Sequence, residues 1–398
     1  AELKFIPVMR VLAAFRRAAS DEAFNWRHAQ VLFAAASAGL VLSPPARCYF
    51  EQKEDGTVDR LKKWSTVSWS LPPGREPGFH LSKVNPLLEN HFKRLVGDTK
   101  PAQDGKRGPP ILVPLCGKTV DMIFFAEQGY SVVGIEGVKR ALVEFRRDQR
   151  SKVIGFSQGR VFGKDSEGKW KTCTDFQPAS SFEGPRPGYV FKTGPSGLGY
   201  YSDTPRLWSG LLTSSYGHQP IHVLEGDYFT VTKEMVAGFA DIPDGEVEMA
   251  FDRGSLVAVP PSARDEYVKI LQSLIKEGGR ILAVTVDYDQ EKMPNGPPFS
   301  VPLAEVKRLY PSHSWKVEVL ETVDSDLPDS NPKFRGLVVK EHAVLITKKV
   351  GVTGGSTEPD SSWRAGSSNA GSSTTVAAAV AGVGVLAGVV AWMMRPRN

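Results

Sequence analysis

Three cysteines in 398 residues, Cys48, Cys116 and Cys173, are too few and too scattered for a disulfide framework or a CxxC metal site. That scarcity suits a reducing compartment. The seven histidines show no ligand spacing, so no metal site is expected. Long Lys/Arg runs are absent, and a net charge of +5 is spread along the chain. Helix-turn-helix and zinc-finger spacings are absent too, which argues against a nucleic-acid partner. What remains is a chain of ordinary globular composition, long enough for one large α/β domain with additions at its ends.

The ends are unusual. Residues 1–50 set Arg10, Arg16, Arg17 and Arg27 among Val8, Leu12, Phe15 and alanines, then run almost wholly apolar from Ala29 to Leu42. This basic and apolar extension reads as a targeting segment or as a helix packed on the domain. Residues 351–375 form a Gly/Ser-rich linker. Residues 376–394 carry no charge, and about 19 apolar residues suffice to cross a bilayer. A single C-terminal transmembrane helix is therefore expected, anchoring a cytosol-facing domain to a membrane, with Gly384 and Gly388 spaced for weak helix pairing.

Between these ends, residues 51–350 read as the main folded domain. Strand signals at Ile111–Cys116, Tyr130–Ile135, Ile221–Leu224, Val247–Phe251, Arg280–Val286, Trp315–Leu320 and Val338–Thr347 alternate with helical spacing at Lys118–Gln128, at Arg264–Lys276, where Gly278-Gly279 is expected to stop the helix, and at Ala304–Leu309. Alternation of this kind implies a mostly parallel sheet with helices on both faces. Residues 151–220, rich in Gly, Pro and Ser, fit no such pattern and read as a long insertion or loop.

The unit Ile111–Glu136 is strand, glycine turn, helix, strand, acid. In such folds a ligand lies across the carboxyl ends of the strands. Gly117 lets the backbone approach it, the following helix start favours an anionic group, and Glu136 is placed to accept ribose hydroxyls about 20 residues after the turn. The turn, Pro114-Leu115-Cys116-Gly117-Lys118, lacks GxGxxG, so a nicotinamide dinucleotide fits poorly.

VPLCGKTVDMIFFAEQGYSVVGIE (113–136), DRGSLVAVPPSARDEYV (252–268) and YDQ followed by GPPFSVPLAEVKRLY (288–310) occur in order. Together with Trp64 and Phe79-His80 they resemble the thiopurine S-methyltransferase family over roughly residues 60–350. The resemblance implies a Rossmann-like class I methyltransferase fold with a seven-stranded, mostly parallel sheet. It implies S-adenosyl-L-methionine as cofactor and methyl transfer to a small thiol or other soft sulfur or selenium nucleophile. It also implies roles. Leu115 and Gly117 would line the methionine end of the cofactor, Glu136 would bind its ribose, and Gly226 and Asp227 would border its adenine. Arg253 would lie near cofactor and acceptor, with Asp252 as a candidate proton acceptor. Trp64, Trp69 and Phe79 would belong to an N-terminal lid. His80 reads as structural, and Cys116 as a small buried hydrophobe. Halide/thiol methyltransferases, and a non-catalytic tethered protein that keeps the fold, are the alternatives. The long stretch before Asp227 and the stretched SLPPGREPG segment (70–78) raise the expectation of an altered acceptor pocket.

Overall fold

A computed structural model describes residues 51–351, apart from 53–57, 73–74, 104, 165–169, 174–175, 185, 187–188, 195, 203–205 and 241. The N-terminal extension, the linker beyond residue 351 and the segment 376–394 lie outside the described residues. The chain divides into units 1–352 and 353–398, and the following concerns the first.

Apart from a short antiparallel pair, Glu51–Gln52 with Val58–Asp59, the strands are β1 (Pro110–Val113), β2 (Ser131–Glu136), β3 (Val153–Lys164), β4 (Trp170–Cys173), β5 (Phe176–Pro178), β6 (Tyr189–Gly194), β7 (Gly197–Ser202), β8 (Arg206–Ser214), β9 (Gly217–Glu225), β10 (Val247–Arg253), β11 (Ile275–Asp287), β12 (Trp315–Asp324) and β13 (Lys340–Lys348). The main helices are α1 (Pro86–Val96), α2 (Asp121–Glu127), α3 (Lys139–Asp148), α4 (Lys233–Ala240), α5 (Arg264–Ser273) and α6 (Leu303–Leu309). Ten strands form one sheet in the order β12-β13-β11-β10-β1-β2-β9-β8-β3-β4, and β5-β7-β6 make a separate small sheet.

Five neighbouring strands, β11, β10, β1, β2 and β9, are parallel. Buried on both faces, they read as near-continuous apolar runs; every residue of β2, SVVGIE, is buried. One face packs on α1, α2 and α3 through Leu88, Phe125 and Phe145. The other packs on α4, α5 and α6 through Met235, Leu271 and Val306. Local chemistry sets the element ends. Asn85 accepts from the Leu87 and Leu88 amides and Pro86 opens α1, while Gly97, at φ 52°, closes it. The expected Rossmann-like class I arrangement is present, with helices on both faces.

The sheet is larger than the seven strands expected, because 151–220 is largely strand. β3, β8 and β9 form an antiparallel extension, with β4 beyond it at the sheet edge. Gly278-Gly279, expected to stop a helix, instead lies within β11. There the register against β10 shifts, since Val247 pairs with Ile275 but Met249 with Arg280.

The membrane part of the expectation is corrected. Among the described residues no helix is long and apolar enough to cross a membrane. The longest, α1, has 11 residues, about 16 Å at 1.5 Å per residue, against the roughly 30 Å of a bilayer core. The Rossmann-like domain stands; the transmembrane helix expected at 376–394, which lies outside the described residues, and the anchored localisation drawn from it find no support among the described residues.

Candidate active site

The chain switches direction at β1, which pairs with β2 on one side and β10 on the other. The carboxyl ends of both halves meet there, which is where such sheets bind ligands. The turn after β1 carries two left-handed residues, Leu115 at φ 42° and Gly117 at φ 55°. A leucine in that region is uncommon. The turn is held from both sides. Cys116 N–H donates to the Ile135 carbonyl at 2.9 Å, and Gly117 N–H donates to Glu136 Oε2 at 2.7 Å.

Glu136 is the centre of this arrangement. It is 6% exposed, and its other oxygen accepts from Val138 N–H at 2.6 Å. Burial pushes its carboxyl up to about 7, against the pull of the Val138, Gly117 and Gly137 amides. A carboxylate offers about four lone pairs, so these amides do not exhaust its capacity to accept. Two vicinal hydroxyls could use the remainder, so the buried carboxyl fits the ribose of S-adenosylmethionine.

The remaining expected residues lie along one line. Gly226 N–H donates to the Glu136 carbonyl, tying the end of β9 to β2. Asp227 caps the following turn through Phe229 N–H and pairs with Arg60 at 3.4 Å. Arg60 also reaches Glu266 and lies 4.5 Å from the centre of the Phe229 ring. Leu61 packs so closely on Gly137 that a Cβ there would meet it at 2.3 Å. Trp69, 3% exposed, lies 3.3 Å from where a Gly117 Cβ would be. Phe79 meets Trp64 at 5.9 Å and Trp69 at 5.6 Å, ring centre to ring centre. Its carbonyl accepts from Arg253 at 2.8 Å. The described residues of 60–80 thus form a strap, passing from Asp227 by Gly137 and Gly117 to Arg253.

Arg253 and Asp252 part company. Burial lowers the Arg253 pKa, while the Asp121, Glu341 and Asp326 carboxylates oppose this. Asp252, 2% exposed, is enclosed, accepting from Leu256 N–H at 3.0 Å and from the Tyr267 hydroxyl at 2.9 Å. Burial raises it to about 6. The Cys116 thiol is pushed up by burial and then by the charge of Glu136, as suits a packing residue. Among the described residues no His/Cys/Asp/Glu group could hold a metal.

Three parts of the site escaped the sequence. Arg60 and Leu61 sit in no periodic pattern. Lys118 was legible only as the end of a glycine turn, yet its buried ammonium has three carboxylate partners. The place of residues 151–220 in the sheet bears on the expectation of an altered acceptor pocket. Glu136 pairs in register with Glu225, Glu225 with Arg206, and Arg206 with Val161. The chain between β3 and β8 therefore leaves the sheet on the β9 flank, whereas Arg253 ends β10 on the other side of β1.

Comparison with known proteins agrees with this geometry. The family model for thiopurine S-methyltransferase matches residues 64–167 and 204–350. Thiopurine S-methyltransferase of Pseudomonas fluorescens is 32% identical over 263 residues, covering 66% of this chain and 85% of that protein. The Pseudomonas aeruginosa protein of the same name (strain LESB58) is 29% identical over 279 residues, covering 68% and 93%. Among solved structures, the YcgJ protein of Bacillus subtilis superposes with a TM-score of 0.37 at 8% identity, covering 67% of this chain and 99% of that one. A magnesium protoporphyrin IX methyltransferase from Synechocystis, with bound S-adenosylmethionine, gives 0.35 at 10%, covering 68% and 88%. Superpositions this loose add nothing to the strand order itself. On the family model and the identities, the chain belongs to the thiopurine S-methyltransferase family of S-adenosylmethionine-dependent methyltransferases.

Proposed function

We propose that this methyltransferase binds its cofactor between the strap and the Leu115–Gly117 turn with Glu136, and methylates a small thiol, or another soft sulfur or selenium nucleophile, at the Arg253 end. The relatives' names, thiopurine S-methyltransferase, support a heteroaromatic thiol as one such acceptor. When bound, S-adenosylmethionine supplies a sulfonium methyl that is already electrophilic. The protein's task is then alignment, which is mainly a proximity effect.

Glu136 would accept the ribose hydroxyls. The left-handed turn at Leu115–Gly117 would face the methionine end, and Gly226 and Asp227 would border the adenine. Arg253, anchored on the Phe79 carbonyl, would favour the thiolate form of the acceptor, which is its reactive form. Trp64, Trp69 and Phe79 would keep water from the reacting sulfur.

Asp252 is better read as a support than as a proton acceptor, because Leu256 N–H and the Tyr267 hydroxyl engage its two oxygens. The observation that carries the reading is the buried Glu136 carboxylate, held by the amide of the very turn it faces. Calorimetric titration of the full chain with S-adenosylhomocysteine tests it. Micromolar binding that Glu136→Ala abolishes is expected; binding unaltered in the variant would place the cofactor elsewhere. A thiol panel then identifies the acceptor class.

A further inference from the structure

Lys118 has a part beyond its place in the turn. Its side chain is 1% exposed, and its ammonium lies 3.1 Å from Glu144, 2.9 Å from Asp148 and 2.5 Å from Glu76. Glu144 and Asp148 belong to α3, which follows Glu136. Glu76 belongs to the strap and is half exposed. The backbone just before Lys118 is the Gly117 amide that holds the Glu136 carboxylate.

The strap has other fastenings beside this one, among them the pairs of Arg60 with Asp227 and Glu266 at its start. Arg140 donates to the Leu71 carbonyl, and Arg253 donates to the Phe79 carbonyl. Both grip backbone and are indifferent to the strap's side chains at those positions. Lys118–Glu76 is the pair of opposite charges that joins the strap to the turn holding Glu136. A buried ammonium loses little by surrendering one of three carboxylates, because the other two still neutralise it. Glu76, being half exposed, loses little by returning to water. The contact is thus built to open at low cost, while Lys118 stays in place.

We infer that Lys118 is a positioning residue that latches the strap to the cofactor-binding turn, and that its pair with Glu76 governs release of S-adenosylhomocysteine. This rests on the cofactor site proposed above. Opening the latch frees the strap over Gly117 without disturbing the Glu136 cradle. It therefore changes residence of the nucleoside product more than the chemical step.

The test compares wild type, Glu76→Gln, Lys118→Arg and Lys118→Met as full chains. The readouts are S-adenosylhomocysteine affinity, its release followed by tryptophan fluorescence, kcat and KM, thermal melting, and the salt dependence of binding. Glu76→Gln is expected to bind S-adenosylhomocysteine about fivefold more weakly, with faster release, kcat not reduced and an unchanged melt. Added salt should weaken the wild type more than the variant, which keeps only the Arg60 pairs of the strap. Lys118→Arg should retain the latch. Lys118→Met leaves three carboxylates facing one another and can fail to fold, which is why Glu76→Gln carries the decision. Equal affinity and equal salt dependence in wild type and Glu76→Gln would overturn the latch, as would a loss of kcat that tracks a lower melt. A folded wild type that binds no S-adenosylhomocysteine would instead sink the cofactor site itself, and the latch with it.

Discussion

Replacing Glu136 by glutamine tests the centre of the site through its protons. The carboxyl rises from 4.5 to about 7 on burial, which corresponds to roughly 3 kcal/mol between its two protonation states. Because the folded state raises this pKa, the native protein favours the protonated form. Stability from this group is complete below about 4.5 and is lost as pH climbs to about 7, by up to roughly 3 kcal/mol. Glutamine cannot ionise, so that slope should vanish in Glu136→Gln. Absolute stability is a poor reading, since the amide can accept from only one of Gly117 and Val138 and forfeits about 1–3 kcal/mol, offsetting much of the gain at neutral pH. The assay is therefore denaturant unfolding of the ligand-free proteins across this range, plotted as the difference between them. Binding supplies a second measure: hydroxyl donors favour the ionised carboxylate, so S-adenosylhomocysteine should release a fraction of a proton near neutral pH and bind more tightly as pH rises. Parallel stability curves for wild type and variant, with no proton release on binding, would refute the description of Glu136 as a buried carboxyl awaiting donors.

Three further outcomes are expected. Asp252→Asn should cost about 1–3 kcal/mol of stability through its bonds to Leu256 and Tyr267 while sparing turnover per folded molecule. A drop of about 10²-fold or more in kcat would restore it as a proton acceptor. Gly117→Ala forces a Cβ into a left-handed turn at φ 55° and to 3.3 Å from Trp69. About 1–2 kcal/mol of strain and a weaker grip on S-adenosylhomocysteine should follow in calorimetry, and wild-type affinity would show that the strap does not rest there. Joining residue 167 to 204, which removes the stretch outside the family match, should leave KM for the acceptor unchanged because that stretch leaves the sheet on the β9 flank; a shifted acceptor profile would show that it reaches the Arg253 end.

The parallel core was legible because strands buried on both faces have little room for polar residues. Ile111–Val113, Ser131–Glu136 and Val247–Arg253 announce themselves as short apolar runs ending in chemistry. Strands with a solvent-facing side carry no such mark. β7 reads GLGYYS, and β8 mixes Trp208 and Leu212 with Ser209 and Thr213, so hairpin partners rather than composition define them. Gly278-Gly279 misleads for a related reason: a bulge and a helix stop use the same residue. The polar site was half legible. Glu136 follows its strand at the spacing the chemistry needs, but the three carboxylates around Lys118 come from residues 76, 144 and 148, and only the fold brings them together. Asp252 shows the opposite failing, since an acid beside an arginine reads as reactive until Tyr267 is seen to cover it.

The strand order also sets a timetable for the chain as it is made. β8 and β9 meet across a tight turn between Ser214 and Gly217, and β3 joins them from nearby sequence. β1, by contrast, cannot gain its second neighbour until Met249 exists to pair with Ile111. A nascent chain therefore holds the β9 side of the sheet while β1 presents an open apolar edge, and β10, β11 and β13 close it afterwards. A chain interrupted before residue 247 would carry half a sheet with that edge uncovered, a template for aggregation rather than a smaller enzyme.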